Sequence, residues 1–374
     1  MRYRFDEIAY NSTAKKKPTE DDKETYIGLE HLDSECLTIS RWGSEVAPVG
    51  EKLIMKKGDI LFGKRRAYQR KVGIAPFDGI FSAHGMVLRP NEEVINPNFF
   101  PFFISSDQFM ERAVRISVGG LSPTINWKDL REQEFDIPSL DEQKELADKL
   151  WAAYNLKESY KKLLSATDEM VKSQFIEMFG GIQNDSKWPL KSLGELCEMV
   201  NGYAFKSTKY SESGYSIIRI ANVQKGSIDD SDKVYYSEQH KDEFSDSILK
   251  EGDILISLTG NVGRAGVIYN KHLPAALNQR VQGLRIKNAS ELNHQYLFSL
   301  LNLDCFEELC IKNASGSAQL NLSTVWLRNC KIVCPRIEEQ TKFALIAHQA
   351  DKSKFKLRKS IDAIDAVIKS LING

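Results

Sequence analysis

The sequence predicts an α+β fold: two mixed α/β domains joined by two long helices forming an antiparallel coiled coil, with an internal pseudo-two-fold repeat. Three observations predict it. Short landmark sequences recur in the same order roughly 190 residues apart. Each repeat opens with short apolar runs punctuated by Gly, Asn, Asp and Ser, the pattern of strands and turns. Each repeat closes with a stretch whose apolar residues step by three and four.

The landmarks are specific. Gly58-Asp59-Ile60-Leu61 returns as Gly252-Asp253-Ile254-Leu255, 194 residues on. Asp136-Ile137-Pro138-Ser139-Leu140-Asp141-Glu142-Gln143 returns as Val333-Cys334-Pro335-Arg336-Ile337-Glu338-Glu339-Gln340, 197 on. Phe5-Asp6-Glu7-Ile8 resembles Leu193-Gly194-Glu195-Leu196, 188 on. The offset drifts as small loop insertions would make it drift. The repeat divides the chain into a domain over 1–138, a helix over 139–181, a second domain over 182–336 and a second helix over 337–374.

Within the domains, Gly252–Leu258 and Gly266–Tyr269 read as strands, and Asn293–Ile311 as helical. The first long helix starts at a capping box, Ser139 with Glu142 three residues on. Its stripe is Leu146, Leu150, Ala153, Leu156, Tyr160, Leu164, Val171, Phe175 and Met178, with no proline from Leu140 to Gly181. The second stripe is Phe343, Ile346, Ala350, Ser353, Leu357, Ile361, Ile364, Ile368 and Leu371, the seam of a left-handed coiled coil. At about 1.5 Å per residue, each helix is roughly 55 to 60 Å long. One small domain cannot bury such a stripe, so the two copies pair. Leu146, Leu150, Tyr160, Leu164 and Val171 are expected to meet Ile346, Leu357, Ile361, Ile364 and Ile368.

Composition excludes several classes. The 374 residues are 42% hydrophobic and 27% charged, a globular balance that rules out wholesale disorder, collagen and coiled-coil-only rods. No run approaches the roughly 20 apolar residues of a membrane span; Phe99–Ile104 is broken by Pro101. The first seven residues carry acids and no apolar core, so no signal peptide is expected. Cys36, Cys197, Cys305, Cys310, Cys330 and Cys334 form no C-x-x-C and have no histidine at finger spacing, so zinc is not expected. Buried, reduced thiols in a cytoplasmic protein are.

With 51 basic and 51 acidic residues the net charge is zero, which taken alone argues against a nucleic-acid partner. Position changes that reading. Lys52–Lys71 holds eight basic residues (Lys52, Lys56, Lys57, Lys64, Arg65, Arg66, Arg70, Lys71) and one acid, Asp59. Ile254–Ser290 holds five (Arg264, Lys271, Arg280, Arg285, Lys287) and none, after an acid-rich stretch from Asp229 to Asp253. Both basic stretches follow the same Gly-Asp-Ile-Leu landmark. Lys64, Arg65, Arg66, Tyr68, Gln69 and Arg70 offer guanidinium forks, an amide and a ring. Thr259, Asn261, Arg264, Asn278, Gln279 and Arg280 offer amides and guanidiniums on loop-like segments. Arginine suits guanine edges, Asn and Gln suit adenine, and lysine suits phosphate. These residues, with Lys206, are the candidate DNA contacts.

No catalytic or metal site is expected. A phosphate-binding G-x-x-x-x-G-K-[ST] loop is absent. Asn96-Pro97-Asn98-Phe99 faintly resembles an amino-methyltransferase motif but lacks its second proline, and no glycine-rich cofactor loop precedes it. Asp136 with Glu142-Gln143-Lys144 faintly resembles a nuclease pattern, yet the second repeat has Glu339-Gln340-Thr341 and loses the lysine. The six histidines show no metal-ligand spacing.

Further motifs carry a resemblance. Trp188-Pro189-Leu190-Lys191-Ser192-Leu193-Gly194-Glu195-Leu196 is followed by Asn201-Gly202-Tyr203-Ala204-Phe205-Lys206-Ser207 and Ile218-Arg219-Ile220-Ala221-Asn222-Val223. Then come Gly252–Ser257 with the Gly260–Gly266 loop, Leu277-Asn278-Gln279-Arg280, and the Pro-x-x-x-Glu-Gln helix start at Pro335 and again at Pro138. Together, over essentially the full length, these resemble the specificity subunit of type I restriction–modification systems. The resemblance implies that each domain is a target recognition domain reading one half of a bipartite, asymmetric site in double-stranded DNA. It implies that the helix pair sets the unread spacer and docks modification subunits, and that this chain is non-catalytic and holds no cofactor. S-adenosylmethionine, ATP and Mg would belong to the modification and restriction subunits. The first domain departs from the pattern: Asn11–Pro18 replaces the Gly-Tyr-Ala-Phe segment, and Ser82-Ala83-His84-Gly85 replaces Leu277–Arg280. Two alternatives remain: a specificity subunit of another methyltransferase–nuclease class, and a coiled-coil adaptor without DNA binding.

Overall fold

The computed structural model describes residues 1–182 and 188–373. Residues 183–187, within the expected second domain, and Gly374 lie outside them. The chain divides into two compact units, Met1–Lys161 with Arg358–Gly374, and Lys162–Leu357. Each unit therefore takes one domain together with part of both long helices.

In the first unit a four-stranded antiparallel sheet runs in the order Ala9–Ser12, Met86–Pro90, Ile60–Phe62, Val72–Ile74. A second sheet holds Lys15–Lys16, Lys52–Met55, Gly79–Phe81 and Tyr26–Ile27, the last pair parallel. Arg2–Arg4 pairs with Glu134–Asp136 at the base. The core is aromatic: Phe5, Phe62, Phe103, Phe109 and Phe135 are buried together, with Phe109 and Phe135 stacked at 5.7 Å.

The second unit repeats this plan. Its antiparallel sheet runs Cys197–Asn201, Val281–Ile286, Ile254–Ser257, Ala265–Val267. Leu190–Ser192 pairs with Lys331–Val333 where the first unit has its basal ladder. The helix expected over Asn293–Ile311 is two, His294–Leu301 and Asp304–Asn313, because Leu303 is extended between them.

The landmarks prove to be structural devices. Asp253 is 1% exposed and accepts two bonds from Arg285 of the neighbouring strand, at 2.9 and 2.7 Å, and one from the Lys250 amide at 2.8 Å. Asp59 does the same with Arg89 (2.7 and 2.8 Å) and the Lys56 amide (2.8 Å). A bidentate pair of this kind fixes the turn to the sheet. Asp253→Ala would strand a half-buried guanidinium and an amide, at a cost of about 2–4 kcal/mol, readable by urea unfolding. An unchanged unfolding midpoint would refute this role.

The Glu-Gln helix start is the second device. Gln143 is fully buried; it accepts the Asn96 amide at 2.7 Å and donates to the carbonyls of Val94 and Pro138 at 3.0 and 2.9 Å. Gln340 accepts the Asn293 amide at 2.8 Å and donates to Glu291 and Pro335 at 3.0 and 2.8 Å. Each long helix is thus locked into its domain by one satisfied amide. The Ser139–Glu142 capping box forms as expected, and the cap amide holds the Glu142 carboxyl below its usual range.

The helices span Leu140–Phe179 and Ile337–Asn373. In the first unit Leu146, Leu150 and Tyr154 share a cluster with Ile368, Leu371 and Ile372. In the second unit Phe175 packs on Phe343 at 5.1 Å and Asp168 meets Lys354 at 2.8 Å. The numbers rise along one helix as they fall along the other, so the pairing there is antiparallel. Tyr160, Leu164, Val171, Leu357, Ile361 and Ile364 are half-buried on the stripe. The stripe departs from expectation in three places. Ile346 is 36% exposed and Ala347 takes the buried position. Leu156 is 45% exposed, while Tyr154 and Lys157 are buried beside it. Ser353 is exposed and Lys354 stands in its place. Hydrophobicity alone selected Leu156 and Ile346. The turn-by-turn phase is instead kept by lysines that bury their stems and meet an aspartate at the tip.

Candidate nucleic-acid interface

One end of each main sheet carries a cluster of loops. In the second unit the turn after Ser257 approaches the 278–280 loop through the Leu258 amide, which donates to the Arg280 carbonyl at 3.0 Å. The Gly260 amide donates to Leu320 at 2.8 Å, and the Leu322 amide to Leu258 at 2.7 Å, which brings in a third segment, 315–321. A fourth, the Gly-Tyr-Ala-Phe segment, joins through Tyr203 N–H to Leu277 (2.8 Å) and Gln279 N–H to Tyr203 (3.2 Å). Tyr203 and Phe205 sit 5.0 Å apart, and Phe205 lies 4.9 Å from Tyr236 in an aromatic cluster. A Cβ on Gly202 would lie 2.0 Å from the Asn278 carbonyl, so only glycine fits this crossing. The motif is therefore an anchor, and it presents the exposed Lys206 beyond it.

The first unit builds the same cluster from different residues. The Arg65 amide donates to His84 at 3.3 Å, so 82–85 occupies the place of 278–280. The Arg66 amide donates to Pro123 at 2.7 Å and the Ile125 amide to Lys64 at 3.0 Å, which brings in 118–124. Arg66 adopts the left-handed φ of 57° beside the turn Ala67–Gln69, a conformation that side chains seldom take and that these bonds hold. Burial and the nearby Lys15 charge push the Lys64 ammonium down from its usual range. A cleft of about 360 Å³ opens beside Lys64, with Asn11, Thr13 and Asn126 on its wall.

The candidates separate into free and engaged groups. Among the described residues, no hydrogen bond or ion pair engages the side chains of Arg65, Lys206, Gln279 or Arg280, all of them exposed. Tyr68 is 55% exposed. Arg66 is exposed, with one bond from Nε to Ser122 at 3.2 Å. Gln69 is half-buried and its carbonyl accepts the Ser34 hydroxyl. Asn261 is exposed and Asn278 half-buried with its Oδ1 capping the Arg280 amide at 3.3 Å.

Three candidates are corrected. Thr259 is 7% exposed and its hydroxyl donates to Asn321 at 3.0 Å, so it ties two loops together. Arg70 is consumed by Asp107 (2.8 Å), Glu35 (3.4 Å) and the Ser105 carbonyl (2.8 Å). Arg264 donates to Gln224 at 3.0 Å and its Nε is buried. Others in the basic stretches are also spent internally: Arg285 on Asp253, Lys71 on the Leu29 carbonyl and Lys287 on the Gly194 carbonyl. Charge runs in sequence do not report which cations pair at home.

Sequence reasoning missed the segments 118–124 and 315–321. Their only signal was composition, Gly-Gly-Leu-Ser-Pro and Ser-Gly-Ser-Ala-Gln, which reads as generic loop. Among the described residues no group of three or more His, Cys, Asp or Glu could hold a metal, and no helix is long and apolar enough to cross a membrane. Cys197, Cys310, Cys330 and Cys334 are buried, and burial pushes Cys310 up to about 12 and Cys330 up to about 11. Cys36 is half-buried and Cys305 exposed, unlike the expected set.

The chain builds one loop-bearing α/β unit twice, on helices that are antiparallel where they pair. The sequence profile described as "Type I restriction modification DNA specificity domain" matches residues 7–166 and 185–364. The chain belongs to that family. It is 27% identical over 270 residues to the type I restriction enzyme MjaVIII specificity subunit of Methanocaldococcus jannaschii, covering 67% of this chain and 63% of that one. It is 24% identical over 357 residues to the EcoKI specificity subunit of Escherichia coli, covering 88% and 74%. The fold matches a chain solved in work on assembly and conformational transition of the type I R-M system, with TM-score 0.58, 18% identity and coverage of 100% and 96%. It also matches the type I S subunit from M. genitalium, with TM-score 0.54, 14% identity and coverage of 100% and 94%. At those identities the structural likeness is one of fold.

Proposed function

We propose that this chain is the DNA sequence-recognition subunit of a type I restriction–modification complex. Each unit reads one half of a bipartite, asymmetric site in double-stranded DNA. The helix pair sets the spacer and docks the modification subunits. The observation that carries the reading is the loop cluster built twice, each time exposing an arginine whose side chain has no partner among the described residues, in a chain of this family. The subunit itself is non-catalytic and takes no cofactor. S-adenosylmethionine, ATP and Mg act in the modification and restriction subunits. The complex works in the cytoplasm, where its DNA is.

The test is binding of the chain with its modification subunits to duplex DNA across a salt series. Affinity falls with salt in proportion to the phosphates neutralised. Arg65→Gln is expected to lower the slope by about one, uniformly across sequences, if Arg65 meets phosphate. Salt-independent binding, or none, would refute the reading. Mapping methylated adenines in the host genome with and without the gene would give both half-sites and the spacer.

A further inference from the structure

The hairpin at 118–124 has no assigned role, and its construction asks for one. Val118 and Thr124 exchange both backbone bonds, at 3.0 and 2.9 Å, which closes a narrow loop. Gly119 turns it at a φ of 116°, a conformation open to glycine. Thr124 also bridges to Arg65, and Ser122 receives the Arg66 guanidinium. The hairpin is thus bolted to the segment after the Ile60–Phe62 strand that carries Lys64, Arg65 and Arg66. At its tip Leu121 is 97% exposed, so folding gains nothing from it.

The second unit builds the same frame. Ser315 and Asn321 exchange bonds at 2.9 and 2.7 Å, Gly316 turns at a φ of 106°, and Asn321 bridges to Thr259. The tip differs: 197 residues after Leu121 stands Ala318, beside Ser317 and Gln319. The frame is kept while the tip chemistry changes, as two readers of unlike sequences require.

Resting on the DNA-recognition reading above, we propose that the 118–124 hairpin enters the major groove of the first half-site and that Leu121 reads a thymine 5-methyl group there. The occupant follows from charge. The hairpin is bonded to Arg65 and Arg66, and no acid lies between residues 60 and 77 or between 116 and 128, a local charge balance that suits a polyanion. The thymine methyl is the apolar group that duplex DNA presents in its major groove. Arg65 and Arg66 flank the tip and hold the sugar-phosphate backbone.

The experiment uses the chain in complex with its modification subunits and duplexes in which each thymine of the first half-site is replaced singly by uracil, which deletes the 5-methyl alone. With the native chain one replacement is expected to weaken binding about fourfold, the value of one buried methyl-sized group. With Leu121→Ala that replacement has no further effect, because both changes remove the same contact. Leu121→Ala cannot act by unfolding, since the side chain touches almost nothing; thermal unfolding of the variant checks this. A uracil effect that persists undiminished in Leu121→Ala overturns the proposal. So does a variant with native affinity on every duplex, or one whose defect is lost modification-subunit assembly. If the native complex itself binds DNA without salt dependence, the broader reading fails instead.

Discussion

Lys157→Glu is expected to cost about 2–3 kcal/mol of stability, because it places two carboxylates against one another at the helix seam. Lys157 is 9% exposed and its ammonium is held by Asp365. The reversed pair, Lys157→Asp with Asp365→Lys, should recover most of the loss. Equilibrium urea unfolding of both variants reads this out. The same holds for Lys354, whose ammonium meets Asp168 and Asp351, both at 2.8 Å. The two pairs are the same pair written twice: Lys157 and Lys354 lie 197 residues apart, and so do Asp168 and Asp365. In a symmetric interface residue i contacts j and j contacts i, and a duplicated chain reproduces that reciprocity within itself. A buried polar pair on a coiled-coil seam fixes register. Loss of the pair without any loss of stability, and without any change in spacer preference, would refute this role.

The second large effect is electrostatic. Arg65→Glu with Arg66→Glu is expected to weaken binding to the first half-site by about 100-fold at moderate salt, since two favourable charges become two repulsive ones. Arg280→Glu should act on the second half-site alone, by about tenfold. Competition binding with duplexes altered in one half-site distinguishes these outcomes. Equal losses at both half-sites would contradict independent readers. Arg70 and Arg264 are the controls: their partners are internal, so substitution there should lower stability and shift affinity little.

The architecture was legible because a duplication carries its own check. The Gly-Asp corner and the Glu-Gln helix start each recur, and each proves to be a buried bond network that tolerates little change. The exact seam was less legible. A stripe drawn through hydrophobic letters takes Leu156 and Ile346, whereas the helix phase uses Lys157 and Ala347, since a lysine stem is as good a filler as leucine when an aspartate meets its tip. The candidate contacts were legible only as neighbourhoods. Sequence located the basic loops but could not tell Arg65, whose side chain has no partner among the described residues, from Arg70, which Glu35, Ser105 and Asp107 claim by tertiary contact. The hairpins were missed because their role depends on what they are bonded to, and glycine and serine advertise no partner.

Gln143 and Gln340 grip backbone groups, and backbone is common to every sequence. These two joints therefore make no demand on the loop sequences of the unit they hold. Such a joint behaves as a standard fitting: a head of altered loops can be mounted on an unaltered stalk, so specificity can be exchanged as a module without re-engineering the frame that carries it.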